Sequence, residues 1–263
     1  MSRALAETMG CMIFHFIGSV SPTPEANGIA LMSIVYFLAK VSGAHMNPAV
    51  TLTFLLLGHT PPWELGLYWA AQISGCILGA LWISALVPRM RIRQMHEQYG
   101  NGCFLPDPDL THFQIFGWEA VGTFCFIVPI FSVVWYTQKK SGYGNTGPLI
   151  VGLSLLSTAM AVGQFTGAAL NPARAIASPI VFSCPTSAAA LPYYVLGELV
   201  GATAAALAIL PWYGISSRPW YMFALPQTDL HSVSSIEETA SDEVVRPTGV
   251  SIITSYQCTA PFV

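Results

Sequence analysis

The feature that most limits what this chain can fold into is a tripeptide that occurs twice. Asn-Pro-Ala stands at 47–49 and again at 171–173. Each copy leads into a short apolar stretch, Val50–Leu57 after the first and Ala175–Phe182 after the second. Asn is a good N-cap, because its side-chain oxygen accepts a backbone N–H that the first turn leaves orphaned. Pro in the first turn gives up only a donor that has no partner there in any case. Asn47-Pro48-Ala49 and Asn171-Pro172-Ala173 therefore predict two helix starts. A helix that crosses a bilayer needs about 20 mostly apolar residues. Neither stretch has them, so both are expected as half-helices that enter a membrane and turn back.

Composition supplies the membrane. Of 263 residues, 53% are hydrophobic and 9% charged, against roughly 25% charged in an ordinary soluble domain. Six segments are long and apolar enough to span: Ala4–Val20, Pro22–Ala39, Leu65–Val87, Phe113–Tyr136, Pro148–Gln164 and Ala188–Tyr213. The start has neither a strongly basic region nor a small-x-small cleavage site, so it reads as a retained first span. A net charge of −3 and the lack of basic clusters or a Gly-rich phosphate loop give no reason to expect nucleic acid. None of the six cysteines forms a Cys-x-x-Cys pair or has a His at zinc-ligand spacing, so no metal or cofactor is expected. Cys103 and Cys184 fall outside the most apolar runs; a bridge between them stays open, with free thiols the favoured state.

The chain also repeats itself. Ala6-Glu7-x-x-Gly10 opens the first half and Trp118-Glu119-x-x-Gly122 the second. Asn47 follows Glu7 by 40 residues and Asn171 follows Glu119 by 52. Each half holds three spans, with its half-helix between the second and third. Three is odd, so the second half enters the membrane from the opposite side. Inverted repeats of this kind place transport sites at the midplane, between broken helices. The expected fold is an all-α membrane protein with six transmembrane helices and two re-entrant half-helices in an inverted repeat. One membrane domain is expected over 1–215, in halves of about 1–110 and 111–215, followed by a flexible cytoplasmic tail at 216–263. In that tail, Ser235 and Ser241 precede acidic residues and are candidate kinase sites. Gly75-x-x-x-Gly79 and Gly197-x-x-x-Gly201 allow close helix packing.

With their flanks the motifs read Ser42-Gly43-Ala44-His45-Met46-Asn47-Pro48-Ala49-Val50 and Thr166-Gly167-Ala168-Ala169-Leu170-Asn171-Pro172-Ala173-Arg174. The chain here resembles the aquaporin (major intrinsic protein) family, over roughly Ala4 to Tyr213. The resemblance implies a passive channel for water, and for small neutral solutes such as glycerol, urea, ammonia or hydrogen peroxide, that excludes protons and ions. Half-helices entering from opposite faces put two N-termini near the membrane centre, each carrying about half a positive charge. Facing one constriction, they raise the energy of protons and cations. The Asn47 and Asn171 amides can each donate to a single water oxygen. Arg174, a costly charge in an uncharged region, is by default a functional residue. The resemblance places it in the outer selectivity filter, with a structural ion pair as the alternative. It further implies that Glu7 and Glu119 brace the loops bearing the half-helices, and that the chain forms a homotetramer with one pore per subunit. His45 either lines the inner approach to Asn47 or serves local packing. Glu198 stands where relatives commonly have Pro and has no account from sequence.

Counting back from the motifs puts the remaining filter positions at Asn27, Ala159 and Ala168, beside Arg174. Water-selective relatives usually carry Phe at the first and His at the second. Asn and Ala are smaller, so the opening is expected to be wider. Against this, Ala175 replaces the Asp typical of glycerol channels, and Tyr193-Tyr194 resembles the aromatic pair of water channels. Two alternatives stay open: a solute channel with low water flux, and a largely non-conducting scaffold or adhesion protein. No nucleophile–base pattern supports an enzyme. With termini inside, the inner side holds Arg3, Lys40, Lys139, Lys140, Arg218 and Arg246, and the outer side Arg89, Arg91, Arg93 and Arg174. Six against four is a weak bias. A multi-pass plasma-membrane protein with cytoplasmic termini is expected mainly from the resemblance.

Overall fold

A computed structural model describes residues 2–88, 103–138, 146–182 and 184–213, with backbone alone for 132–138, 185–187 and 213. The Arg89–Arg93 cluster, Lys139, Lys140 and the tail from Ser216 lie outside the described residues. Among those described, eight helices follow one another: α1 (Ser2–Val20), α2 (Pro24–Ser42), α3 (Pro48–Leu56), α4 (Pro62–Leu86), α5 (His112–Gln138), α6 (Gly147–Thr166), α7 (Pro172–Phe182) and α8 (Pro185–Tyr213). Their ends follow local chemistry. The Thr23 hydroxyl accepts the Ala26 N–H to cap α2, and Gly43 ends that helix in the left-handed region at φ 88°, where Gly carries no Cβ penalty. Gly167 ends α6 in the same way at φ 79°. α4 and α8 begin three residues before the expected Leu65 and Ala188, because Pro62 and Pro185 act as first-turn prolines.

α3 and α7 have 9 and 11 residues. At 1.5 Å per residue the longer reaches only about 16 Å, roughly half of the 30 Å hydrocarbon core. An ion pair gives independent support for re-entry. Arg3 Nη1 lies 2.7 Å from Glu64 Oε1, which puts the starts of α1 and α4 on the same side. With α2 running back between them, α3 cannot cross. Four helical segments, 62–86, 112–131, 147–166 and 188–212, are long and apolar enough to cross a membrane by length and composition. α1 and α2 are less apolar because their buried faces carry Glu7, His15 and Ser19, and Asn27. These polar groups face the interior of the bundle. Large apolar side chains such as Phe37, Phe113 and Trp212 point outward.

The packing repeats the sequence symmetry. α1 packs on α4 as α5 packs on α8, and α1 meets α2 as α5 meets α6. Each half-helix crosses over: α3 lies against α8, and α7 against α4. α2 meets α6, and α3 meets α7, where the two halves join. Glycine makes the close crossings. A Cβ at Gly79 would sit 2.5 Å from the Met12 carbonyl oxygen, and one at Gly197 2.5 Å from that of Phe116. At Gly28 it would sit 2.8 Å from the Gly152 oxygen. At Gly201 it would press on the Ala120 carbonyl, a backbone atom that cannot step aside. Gly201→Ala is therefore expected to cost about 2 kcal/mol or more by overpacking. Gly117→Ala, where an added Cβ meets nothing within 4 Å, is expected to be neutral. Thermal unfolding of the two variants in detergent checks the contrast.

Candidate pore and selectivity filter

The site begins with two buried carboxylates. Glu7 Oε1 accepts the Ser42 hydroxyl (2.6 Å) and the His45 N–H (3.0 Å). Its Oε2 accepts the Met46 N–H (2.6 Å) and Gln72 Nε2 (2.8 Å). Glu119 does the same in the second half: Oε1 takes the Thr166 hydroxyl (2.5 Å) and the Ala169 N–H (3.2 Å), and Oε2 the Leu170 N–H (2.9 Å). Two tyrosines complete the support, Tyr68 donating to the Ser42 carbonyl (2.7 Å) and Tyr194 to that of Thr166 (2.5 Å). Glu198 also finds a place here, its Oε1 accepting the Asn171 N–H at 2.7 Å. By helix position it is the counterpart of Gln72, each one turn beyond its tyrosine. So braced, the loops hold four non-glycine residues at positive φ: Ala44, Met46, Ala168 and Leu170, between 48° and 52°. Each costs on the order of 1 kcal/mol, and such strain persists only where its surroundings impose it.

What this achieves is visible at the asparagines. Asn47 Oδ1 accepts the Ala49 N–H (2.9 Å), and Asn171 Oδ1 the Ala173 N–H (3.0 Å). Each Nδ2 then reaches across to the opposite loop, Asn47 to the Leu170 carbonyl (2.7 Å) and Asn171 to the Met46 carbonyl (2.9 Å). One amide hydrogen on each is used in this clasp; the other is available to a guest. The two half-helix N-termini are thus locked together, and the strained residues supply the carbonyls that lock them. Pro48, Ala49, Pro172 and Ala173 are buried helix starts.

Two cavities adjoin, and the clasp lies in the wall of the first. The first, about 300 Å³, is lined by Asn47, Asn171 and His45 among mostly apolar side chains such as Val35 and Ile130. His45 Nδ1 lies 3.3 Å from the Thr51 hydroxyl and its ring stacks obliquely on Phe54, so it both lines the cavity and packs locally. The second, about 400 Å³, is lined by all four filter candidates, Asn27, Ala159, Ala168 and Arg174. Arg174 and Leu155 line both. The Arg174 guanidinium carbon sits 4.6 Å from the Phe14 ring centroid and 5.4 Å from that of Phe104. Among the described residues no carboxylate lies within ion-pair distance of it, so the guanidinium faces rings and cavity. Asn27 turns its amide back, donating to the Thr23 carbonyl at 2.9 Å and weakly to that of Gly18 at 3.3 Å.

The thiol expectation is corrected. Cys103 and Cys184 form a disulfide, with Cα atoms 6.0 Å apart, joining the segment before α5 to the one after α7. Closing 81 residues of sequence is worth on the order of 4 kcal/mol by loop entropy. Sequence reading failed because this pairing depends on a loop that returns to the mouth of the second cavity. Phe14, Leu155 and Phe104 were also missed: two lie on spans without a motif, and the third is fixed only by the disulfide beside it. The described free cysteines are Cys11 and Cys76, both buried, and Cys125, exposed on the outer face of α5. The channel is therefore expected to resist mercury, and Ala168→Cys, which puts a thiol into the second cavity, to lose most of its water flux to it. Stopped-flow shrinkage before and after mercuric chloride measures both.

The whole site lies within the match to known proteins. The family model for major intrinsic proteins matches residues 1–213. A probable aquaporin of Archaeoglobus fulgidus is 33% identical over 183 residues, covering 69% of this chain and 72% of that protein. Maize aquaporin NIP1-1 is 30% identical over 222 residues, covering 79% of this chain and 73% of that protein. In fold, the chain is similar to the aquaglyceroporin from Plasmodium falciparum, with a TM-score of 0.67, 20% identity, and coverage of 82% of this chain and 99% of that one. The chain belongs to the major intrinsic protein family.

Proposed function

We propose that the chain is a passive channel for water and for small neutral solutes, closed to protons and ions. The observation that carries this reading is the clasp of Asn47 and Asn171 in the wall of the first cavity, which meets the second at Arg174. Each asparagine keeps one donor for a passing oxygen, at the point where both half-helix dipoles present positive charge. A water held by two donors there turns both its hydrogens away and cannot accept a relayed proton. Arg174 repels cations at the junction of the cavities. Asn27, Ala159 and Ala168 leave the second cavity wide, which favours admission of glycerol, urea or hydrogen peroxide beside water. The solute series is tested in vesicles holding the full chain: glycerol and urea are expected to enter faster than through protein-free bilayers. Water flux without solute entry would leave a strict water channel instead.

We infer the orientation from redox chemistry. Disulfides persist in oxidising compartments and are rare in the cytosol. The Cys103–Cys184 bridge lies at the end of the bundle opposite the Arg3–Glu64 pair. That favours cytoplasmic termini, with the second cavity as the outer vestibule of a plasma-membrane protein. The outward-facing apolar side chains suit lipid and neighbouring copies, and a homotetramer with one pore per subunit is the assembly we infer. The channel domain is taken as 1–215 and the rest as a tail.

A further inference from the structure

The second cavity has no ring at Asn27 or Ala159, yet of the two aromatic side chains that face its arginine, Phe14 and Phe104, one lines this cavity. That side chain is Phe104, which comes from the connection between α4 and α5, not from a span. Its centroid is 5.4 Å from the Arg174 guanidinium carbon, and it lines the same cavity as Asn27, Ala159 and Ala168. Phe104 is 8% exposed, so its position is set by packing. Tyr194 lies behind it, with ring centroids 6.2 Å apart. The segment that carries it is pinned on both sides. Cys103, the preceding residue, is bonded to Cys184. Three residues further on, the Asp107 N–H donates to the Phe165 carbonyl at 2.7 Å. Between these points the segment rests on Gly167, where an added Cβ would already touch Phe104 Cα and Leu105 N at 3.5 Å.

An aromatic face held toward a guanidinium does two things. It fixes the plane of the cation through the ring quadrupole, and its width takes up room that solutes would otherwise use. Water needs little of that room; glycerol and urea need more. We propose that Phe104 is a specificity-determining residue of the filter, supplying the aromatic wall that positions 27 and 159 lack, and that the Cys103–Cys184 disulfide holds it in place. The proposal rests on the channel reading above. It makes the choice between water and larger neutral solutes depend on a loop, and on the state of a bond outside the spans.

The test uses the full chain reconstituted into vesicles and reads the ratio of glycerol to water permeability. Phe104→Ala is expected to raise that ratio about tenfold, the lower end of what small steric changes in an apolar site achieve. Phe104→Tyr, which keeps the ring, is expected to hold the wild-type ratio. A phosphine reductant splits the disulfide into two thiols, leaving as its oxide, and should move the wild type in the same direction as Phe104→Ala. It should leave a Cys103→Ser, Cys184→Ser double variant unchanged. A purely structural role for Phe104 would lower both fluxes together and leave the ratio where it was. Normal water flux with an unchanged ratio in Phe104→Ala would overturn the proposal. Should that variant fail to fold, the reductant on wild type decides: two thiols titrated and the ratio unmoved would overturn it equally. Wild-type vesicles passing neither water nor glycerol would count against the channel reading itself, which is a different failure.

Discussion

Glu7→Ala is expected to abolish the folded channel. The carboxylate accepts four hydrogen bonds, from the Ser42 hydroxyl, the His45 and Met46 N–H groups and Gln72. It is fully buried, so bulk solvent does not reach its four donors. Each orphaned donor costs about 1–3 kcal/mol. Four together consume a large share of the 5–15 kcal/mol that typically separates folded from unfolded protein. The damage also falls on the strained loop: without the acceptors, positive φ at Ala44 and Met46 is held only by Tyr68 on the Ser42 carbonyl, the Ser42 hydroxyl on the Ala44 N–H and Asn171 on the Met46 carbonyl. Glu7→Gln keeps one acceptor oxygen and should fall between. The check is thermal unfolding and monodispersity in detergent, together with water flux per reconstituted protein. An alanine variant that unfolds at the wild-type temperature would show that the carboxylate is not what holds the first Asn-Pro-Ala loop.

The second large effect concerns solute choice. Ala159→His is expected to cut glycerol and urea uptake about tenfold or more while water flux largely persists. Ala159 lines the same cavity as Arg174, and that cavity, at about 400 Å³, can take an imidazole. The ring would narrow the opening and add a donor suited to water. Uptake unchanged in this variant would place the limiting width elsewhere, at Leu155 beside Arg174 or at Phe104.

What was legible in the sequence was legible because it is local or repeated. Asn-Pro-Ala states its own helix start, and the second copy states the symmetry. Glu7 and Glu119 stand out because a carboxylate inside an apolar span needs partners. The disulfide, by contrast, joins residues 81 apart in sequence through two connections, and nothing near either cysteine announces the other. Glu198 had no reading because its role is defined by a comparison visible only in three dimensions. It stands where Gln72 stands in the other half, and bonds to Asn171 instead of to a carboxylate. Phe104 shows the same limit from the other side. Counting back from the motifs finds positions at a fixed distance from Asn-Pro-Ala, and cannot find a ring delivered by the separate connection between α4 and α5.

The central claim is that two half-helices, clasped through Asn47 and Asn171, pass water and stop protons. It is tested most directly by measuring both in one preparation of vesicles containing the full chain. Osmotic shrinkage is followed by light scattering, and proton entry under an imposed pH gradient by an internal dye. The account predicts water flux well above that of protein-free vesicles, with proton entry at the level of the bare bilayer. Folded protein with shrinkage no faster than the control, or with proton entry rising alongside water, would contradict it.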